Sequence, residues 1–379
     1  MIWLVLLVLL GSCAIPYYHE SAKLMQEGHF DAATLPLAKA DLPYQGTNES
    51  PLLLLSRAMV YFHSSKYTSS AHDFEKALDA IDYYSQTSTP EIAGQVLIQD
   101  SLGAYVPPPF EVSLARFYQA LAFLHQNDED SAAATLYYLE NHLAPSEQNP
   151  LASYLLATLF QRRGDVSNAR ILYSRVKTPE TAPTVLVIHH RGQAPLKSSQ
   201  MAPVSMVSAA LVEKLLDSQN IRPALSTLTG IPIPHLESGF IPHSSLLMVN
   251  NKRHLPSLSY DIRQAASTSL KKEMPLIAAR AAARLLIRRG LVASTHKNYQ
   301  PLMDAAMLIS NLTTEADTRS WASLPAHIDL YALDLPPGEH LLRLGKHEKR
   351  VTVSSKNLVV VEVFQPKSDN VYISTEEAL

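Results

Sequence analysis

Apolar positions along this chain fall into three regimes: one solid block, a long stretch at helical spacing, and a tail that alternates. The block, Ile2–Leu10, ends before Pro16 and the polar Tyr17-Tyr18-His19-Glu20. A bilayer-spanning helix needs about 20 apolar residues, so a run of roughly ten has instead the length of a signal-peptide core. Helical spacing follows. Residues 151–177 carry Ala157, Phe160, Gly164-Asp165, Ala169, Tyr173 and Val176, and residues 116–143 repeat this as Ala120, Phe123, Asn127-Asp128, Ala132, Leu136 and Leu139. Residues 54–80 repeat it again, with Ala58, Tyr61, Ser65-Lys66, Ser70, Phe74 and Ala77, and 17–40 hold a weaker copy, with Ser21, Leu24, Gly28-His29, Ala33, Leu37 and Ala40.

Small residues twelve apart, then large ones four and seven further on, are the pattern of the tetratricopeptide repeat (TPR), a two-helix unit of about 34 residues. Helix axes about 8–10 Å apart leave no room for a long side chain at their crossing, hence the small residues. Ala33, Ser70, Ala132 and Ala169 are separated by 37, 62 and 37 positions, so the middle gap holds an insertion, roughly 85–109. Amphipathic helices matching by accident would not be expected to share one register three times. Ala120, Ala132, Ala157 and Ala169 are the expected packing residues, and stacked repeats expose an extended surface suited to a partner segment.

After Lys177 the composition changes. Thr178–Pro183 reads as a linker, and Thr184–His190 (TVLVIHH) as a strand. A helix is expected over 205–217, short extended pieces over 225–242, and the longest helix over 259–289, kinked or divided at Pro275 and capped by Gly290. In the tail, 327–333, 339–344, 349–354 and 358–365 read as four strands joined as a meander, with a loose polar end. The expected fold is α+β: N-terminal TPR-like α-helical repeats, a mixed α/β middle region, and a small antiparallel β domain at the C-terminus. The corresponding segments are 1–12, 13–180, 181–320 and 321–379.

Cys13 is the only cysteine, and it follows the apolar block through Leu10-Gly11-Ser12. This resembles the lipobox of a bacterial lipoprotein, which is cut before the cysteine and acylated on it. No Lys or Arg precedes Ile2, as a start site upstream of Met1 would leave it. Two or three acyl chains make a lasting anchor where one is marginal. Ala14 rather than Asp after the cysteine favours the outer membrane by the enterobacterial sorting rule.

A hydrophobic fraction of 46%, a net charge of −3, 12 glycines and 25 prolines describe a folded, helix-rich chain without the basic excess of a nucleic-acid binder. Among 15 histidines there is no zinc-site spacing, and His189-His190 on a strand point to opposite faces. Ser-x-x-Lys occurs at Ser174–Lys177 and Ser269–Lys272, without the partner motifs a hydrolase needs. No cofactor or metal is expected. Arg280, Arg284 and Arg288, four apart on one helix, form a candidate anion-binding stripe, weighed against an ordinary solvated face. Tyr61, Tyr137 and Tyr173 fall at or beside packing positions, and Trp321 reads as an interdomain packing residue.

The chain also resembles a family of Gram-negative outer-membrane lipoproteins with TPR-like repeats. The resemblance rests on Asp100 with Tyr105, Phe110-Glu111 and Tyr118-Gln-Ala120-Leu121. It continues in Gly192-x-Ala194-Pro195-x-Lys197 and in Asp261 with Pro275-x-Ile277-Ala278-x-Arg280-x-x-x-Arg284. It ends in Asp317-x-Arg319-x-Trp321-x-x-Leu324-Pro325 and Leu335-Pro-Pro-Gly338. The family is not known as an enzyme. It implies a lipid-anchored, periplasm-facing protein with a TPR-like array, and by fold-level analogy the repeat surface is expected to dock another envelope protein in wall synthesis or envelope assembly. Binding of an anionic glycan or lipid through the arginine stripe and the C-terminal sheet is the alternative, and an envelope hydrolase ranks last.

Overall fold

The structure, a computed structural model, describes residues 17–38, 50–86, 104–144, 147–216, 221–243, 246–288, 316–354 and 357–374. Cys13, Gly290, most of the 85–109 insertion and the side chain of Arg288 lie outside the described residues. The chain is mixed α+β.

The N-terminal half is built of helical hairpins. Helix α1 (Tyr17–Gln26) is followed by two single turns, α2 (Phe30–Ala33) and α3 (Leu35–Ala38). Then come the pairs α4 (Ser50–His63) with α5 (Tyr67–Gln86), α6 (Pro109–Leu124) with α7 (Glu129–His142), and α8 (Pro150–Arg162) with α9 (Val166–Val176). Ala58, Ser70, Ala120, Ala132, Ala157 and Ala169 are all fully buried. Each tight turn has a left-handed residue at the same place: Gly28 (φ 81°), Ser65 (58°), Asn127 (58°) and Gly164 (80°). Each turn closes with the same two bonds, for example Asn127 N–H to Leu124 O at 2.9 Å and Asp128 N–H to Phe123 O at 2.9 Å. That is the Schellman closure, which satisfies carbonyls left over at a helix end. Asp128 and Asp165 then cap the next helix by accepting the amides of Ser131 and Asn168.

Strand β1 (Val185–Arg191) is the centre of the β body. It pairs in parallel with β10 (Val359–Lys367) and antiparallel with β7 (His327–Leu333). Strands β11 (Asn370–Ser374) and β6 (Leu258–Asp261) complete a five-stranded sheet of order β11-β10-β1-β7-β6. The reason is legible in β1 itself. Leu186, Ile188 and His190 belong to the helical side, while Val185 and Val187 join the other core, so both faces are buried and both edges paired. The second face packs on a four-stranded sheet, β5-β4-β8-β9, formed by β4 (Leu247–Val249), β5 (Lys252–His254), β8 (Gly338–Leu344) and β9 (His347–Val353).

The fold therefore has three layers: helices, sheet, sheet. The expected separate β domain at 321–379 is corrected. Its strands divide between two sheets, β8 and β9 forming a hairpin in one while β7 and β10 flank β1 in the other. The expected meander is corrected too, since β1 separates β7 from β10, and within the expected loose end residues 370–374 pair with β10 as β11, while 375–379 lie outside the described residues.

A third core joins the ribbon β2 (Lys197–Ala202) and β3 (Ile231–Leu236) to helix α10 (Ala209–Leu216), the single turn α11 (Arg222–Leu225) and the C-terminal half of α12 (Ile262–Arg288). Helix α12 runs through Pro275 without a break, contrary to the expected division.

Candidate functional site

Two groups of polar side chains sit where the layers meet. The first bolts the hairpins to the sheet. Glu362 of β10 is 3% exposed and bonds His190 Nε2 of β1 at 2.6 Å and His125 Nε2, at the end of α6, at 3.2 Å. His190 Nδ1 lies 3.1 Å from the Tyr118 hydroxyl of α6. His125 stacks on Tyr67 at 4.0 Å, and His63 stacks on Phe364 at 4.2 Å. Burial would raise the Glu362 carboxyl, but the two histidine bonds and their charge bring it down to about 2. Burial, with His190 beside it, pushes the His63 imidazole down to about 3.

The first two hairpin turns meet the edge strand β11, and the third meets the segment before β10. A side chain on Gly28 would overlap the Tyr372 phenol, which donates to Glu27 O at 3.2 Å. Tyr67 OH approaches Ser374 Oγ at 3.5 Å, and Asn127 approaches Asn357 at 3.4 Å. On the opposite face of β1, His189 Nε2 bonds Gln365 Oε1 at 2.9 Å, and Arg191 Nε lies 2.9 Å from Asp329 Oδ2. The two adjacent histidines thus serve opposite faces, as a strand requires.

The second group lines a cleft between the start of α6, the first half of α12, and the segments 194–197 and 320–324. Its empty space is about 480 Å³ including the open mouth. Glu111 lies in its wall, 5% exposed, and accepts from the Tyr105 hydroxyl at 2.5 Å. Burial raises the Glu111 carboxyl to about 7, and the Lys197 charge and the Tyr105 bond only partly offset this. Behind the cleft Arg319 grips Asp317 with two bonds, Nε to Oδ1 at 2.9 Å and Nη2 to Oδ2 at 2.7 Å, its guanidinium 5.7 Å from the Tyr105 ring centre. Burial alone would raise Asp317, but the Arg319 bonds and charge hold it below the usual range. The Ser320 hydroxyl accepts the Lys197 amide at 3.0 Å.

A carboxyl raised toward neutrality, a lysine and the aromatic side chains of Phe110 and Trp321 make this cleft a candidate binding pocket. Three segments singled out in the sequence meet in it or border it: Tyr105 with Phe110-Glu111, Ala194 to Lys197, and Asp317 to Leu324; the stretch of α12 that lines it, Ile262 to Glu273, falls between the other singled-out residues, Asp261 and Pro275.

The arginine stripe fares differently. Arg284 is 2% exposed on the face of α12 whose alanines fill the third core, and Arg280 is half-buried. Arg284 is therefore corrected from a surface contact to an interior residue. Tyr173 is buried and Trp321 packs beside Phe74 and Tyr118, whereas Tyr137 is exposed. Sequence reasoning missed Glu362 and His125. Their signal was an acid inside the β-branched run Leu358–Gln365 and a histidine ending an apolar helix. Among the described residues no group of acids, histidines or cysteine is arranged to hold a metal ion, and no helix is long and apolar enough to cross a membrane. No family model, curated protein or solved structure matches the chain.

Proposed function

We propose that this is a periplasm-facing lipoprotein, held at the outer membrane by lipid on Cys13, that docks another envelope protein through a TPR-like helical array without itself catalysing a reaction. Envelope assembly or cell-wall synthesis is the setting we favour. The observation that carries the repeat reading is the common left-handed turn at Gly28, Ser65, Asn127 and Gly164. Cross-helix contacts recur in the same register. Ser21 Oγ donates to Ala33 O and Ser70 Oγ to Ala58 O, both twelve positions apart, while Arg57–Asp73 and Gln119–Thr135 bond sixteen apart.

The first three turns of the array meet the protein's own β body, so the docking face is assigned to the exposed side chains of the second helices: Tyr83, Tyr137 and Ile171, each more than half exposed. Aromatic and aliphatic side chains held on rigid helices are suited to anchoring a partner. The anionic-ligand alternative draws no support from the stripe, because Arg284 is interior.

The test is a pull-down of envelope proteins with wild type and with Tyr137→Ser/Ile171→Ser, whose surface positions leave folding intact. Loss of the co-purifying protein is expected. Equal recovery would remove the docking face, and a Cys13→Ser protein that still fractionates with membranes would remove the anchor.

A further inference from the structure

We propose that the cleft at Glu111 binds a primary carboxamide, the group that ends an asparagine or glutamine side chain. The inference goes beyond the docking reading and stands without it. Glu111 and Lys197 both line the cleft, yet neither forms an ion pair within 4 Å with any described residue. One Glu111 oxygen takes the Tyr105 proton, and the other makes no hydrogen bond to a described residue. Lys197 is near enough for its charge to bear on both Glu111 and Asp317. Inside the cleft an acceptor and a donor thus stand among apolar side chains, including Phe110, Ile262, Trp321 and Leu324, while a second carboxylate, Glu273, lies exposed at its rim and accepts the Ser269 hydroxyl at 3.0 Å.

The chemistry of the gap selects the occupant. Above about pH 7, where Glu111 is ionised, an ammonium would satisfy Glu111 but face Lys197, and a carboxylate would satisfy Lys197 but face Glu111. Either would also bring a net charge into a largely desolvated site. A carboxamide places N–H toward Glu111 and C=O toward Lys197 while remaining neutral. A backbone amide would bring chain on both sides of it.

The experiment titrates the full protein with propionamide and reads Trp321, which lines the cleft, by fluorescence; the other tryptophan, Trp3, lies in the apolar leader. Saturation is expected at roughly 100 mM, in keeping with five heavy atoms of ligand. Lys197→Met should weaken binding about tenfold, and Glu111→Leu likewise, while Glu111→Gln, which keeps a carbonyl acceptor, should retain most of it. Circular dichroism verifies the fold of each variant, and Lys197→Met, a half-exposed site, keeps the test open if Glu111→Leu does not fold. Three results would overturn the proposal: no saturable signal, binding indifferent to Lys197→Met, or propionate or propylammonium binding more tightly than propionamide.

Discussion

His189 and Glu362 are both buried ionisable residues of one sheet, and they respond to acid with opposite histories. His189 is fully buried, and burial, its largest influence, lowers the imidazole to about 3. The unfolded chain protonates this residue near pH 6.5, so as pH falls below that value the unfolded state takes up the proton first and stability declines until about pH 3. Between pH 7 and pH 5 the loss from His189 is about 2 kcal/mol. Glu362, lowered to about 2, contributes stability that is whole above pH 4.5 and is lost only below it, so it does not offset the histidine in that window. Urea midpoints at pH 7 and pH 5 check this: the wild type should lose stability on acidification, and His189→Phe should lose less. An identical shift in both proteins would assign the acid sensitivity elsewhere. At this scale the sequence marked His189 and His190 as facing opposite ways, but not their partners. Gln365 and Glu362 lie more than 170 positions away and meet them only through the β1·β10 pairing.

The helical hairpin is the element on which the first half is built, and its turn is its most constrained part. Ser65 and Asn127 sit at φ 58°, where a side chain costs about 1–2 kcal/mol relative to glycine. Ser65→Gly should therefore raise the thermal midpoint, offset in part by the added flexibility of the unfolded chain. Ser65→Val should lower it, since a β-branched residue tolerates the left-handed region least. A rise on Ser65→Val would contradict the turn geometry. These positions were legible in the sequence as Gly28-His29, Ser65-Lys66, Asn127-Asp128 and Gly164-Asp165, because glycine and asparagine mark helix ends by their own backbone preferences. The first copy was legible only as weak, and Pro36 shows why: its second half is two single turns rather than one helix.

Across the whole molecule the central strand joins distant parts of the chain. β1 lies between β7 and β10, both of which follow residue 321. A fragment ending at 320 would leave β1 with two open edges and expose Leu186, Ile188, Val185 and Val187 to water. We expect residues 13–320 to be insoluble or poorly structured, read by circular dichroism and amide spectra, whereas a true domain boundary would give a well-dispersed, folded fragment. The cleft depends on the same closure, since its walls come from five separated segments.

Local sequence determined what depends on short-range preference. Helical periodicity, small residues at crossings, turn residues and the β-branched strands all act within a few positions, so they could be read along the chain. Tertiary structure alone decided which strands became neighbours, that Arg284 turns inward, and that Glu111 and Lys197 share a cleft. Those outcomes follow from burying faces contributed by remote segments, and no local preference encodes which remote face will be the partner.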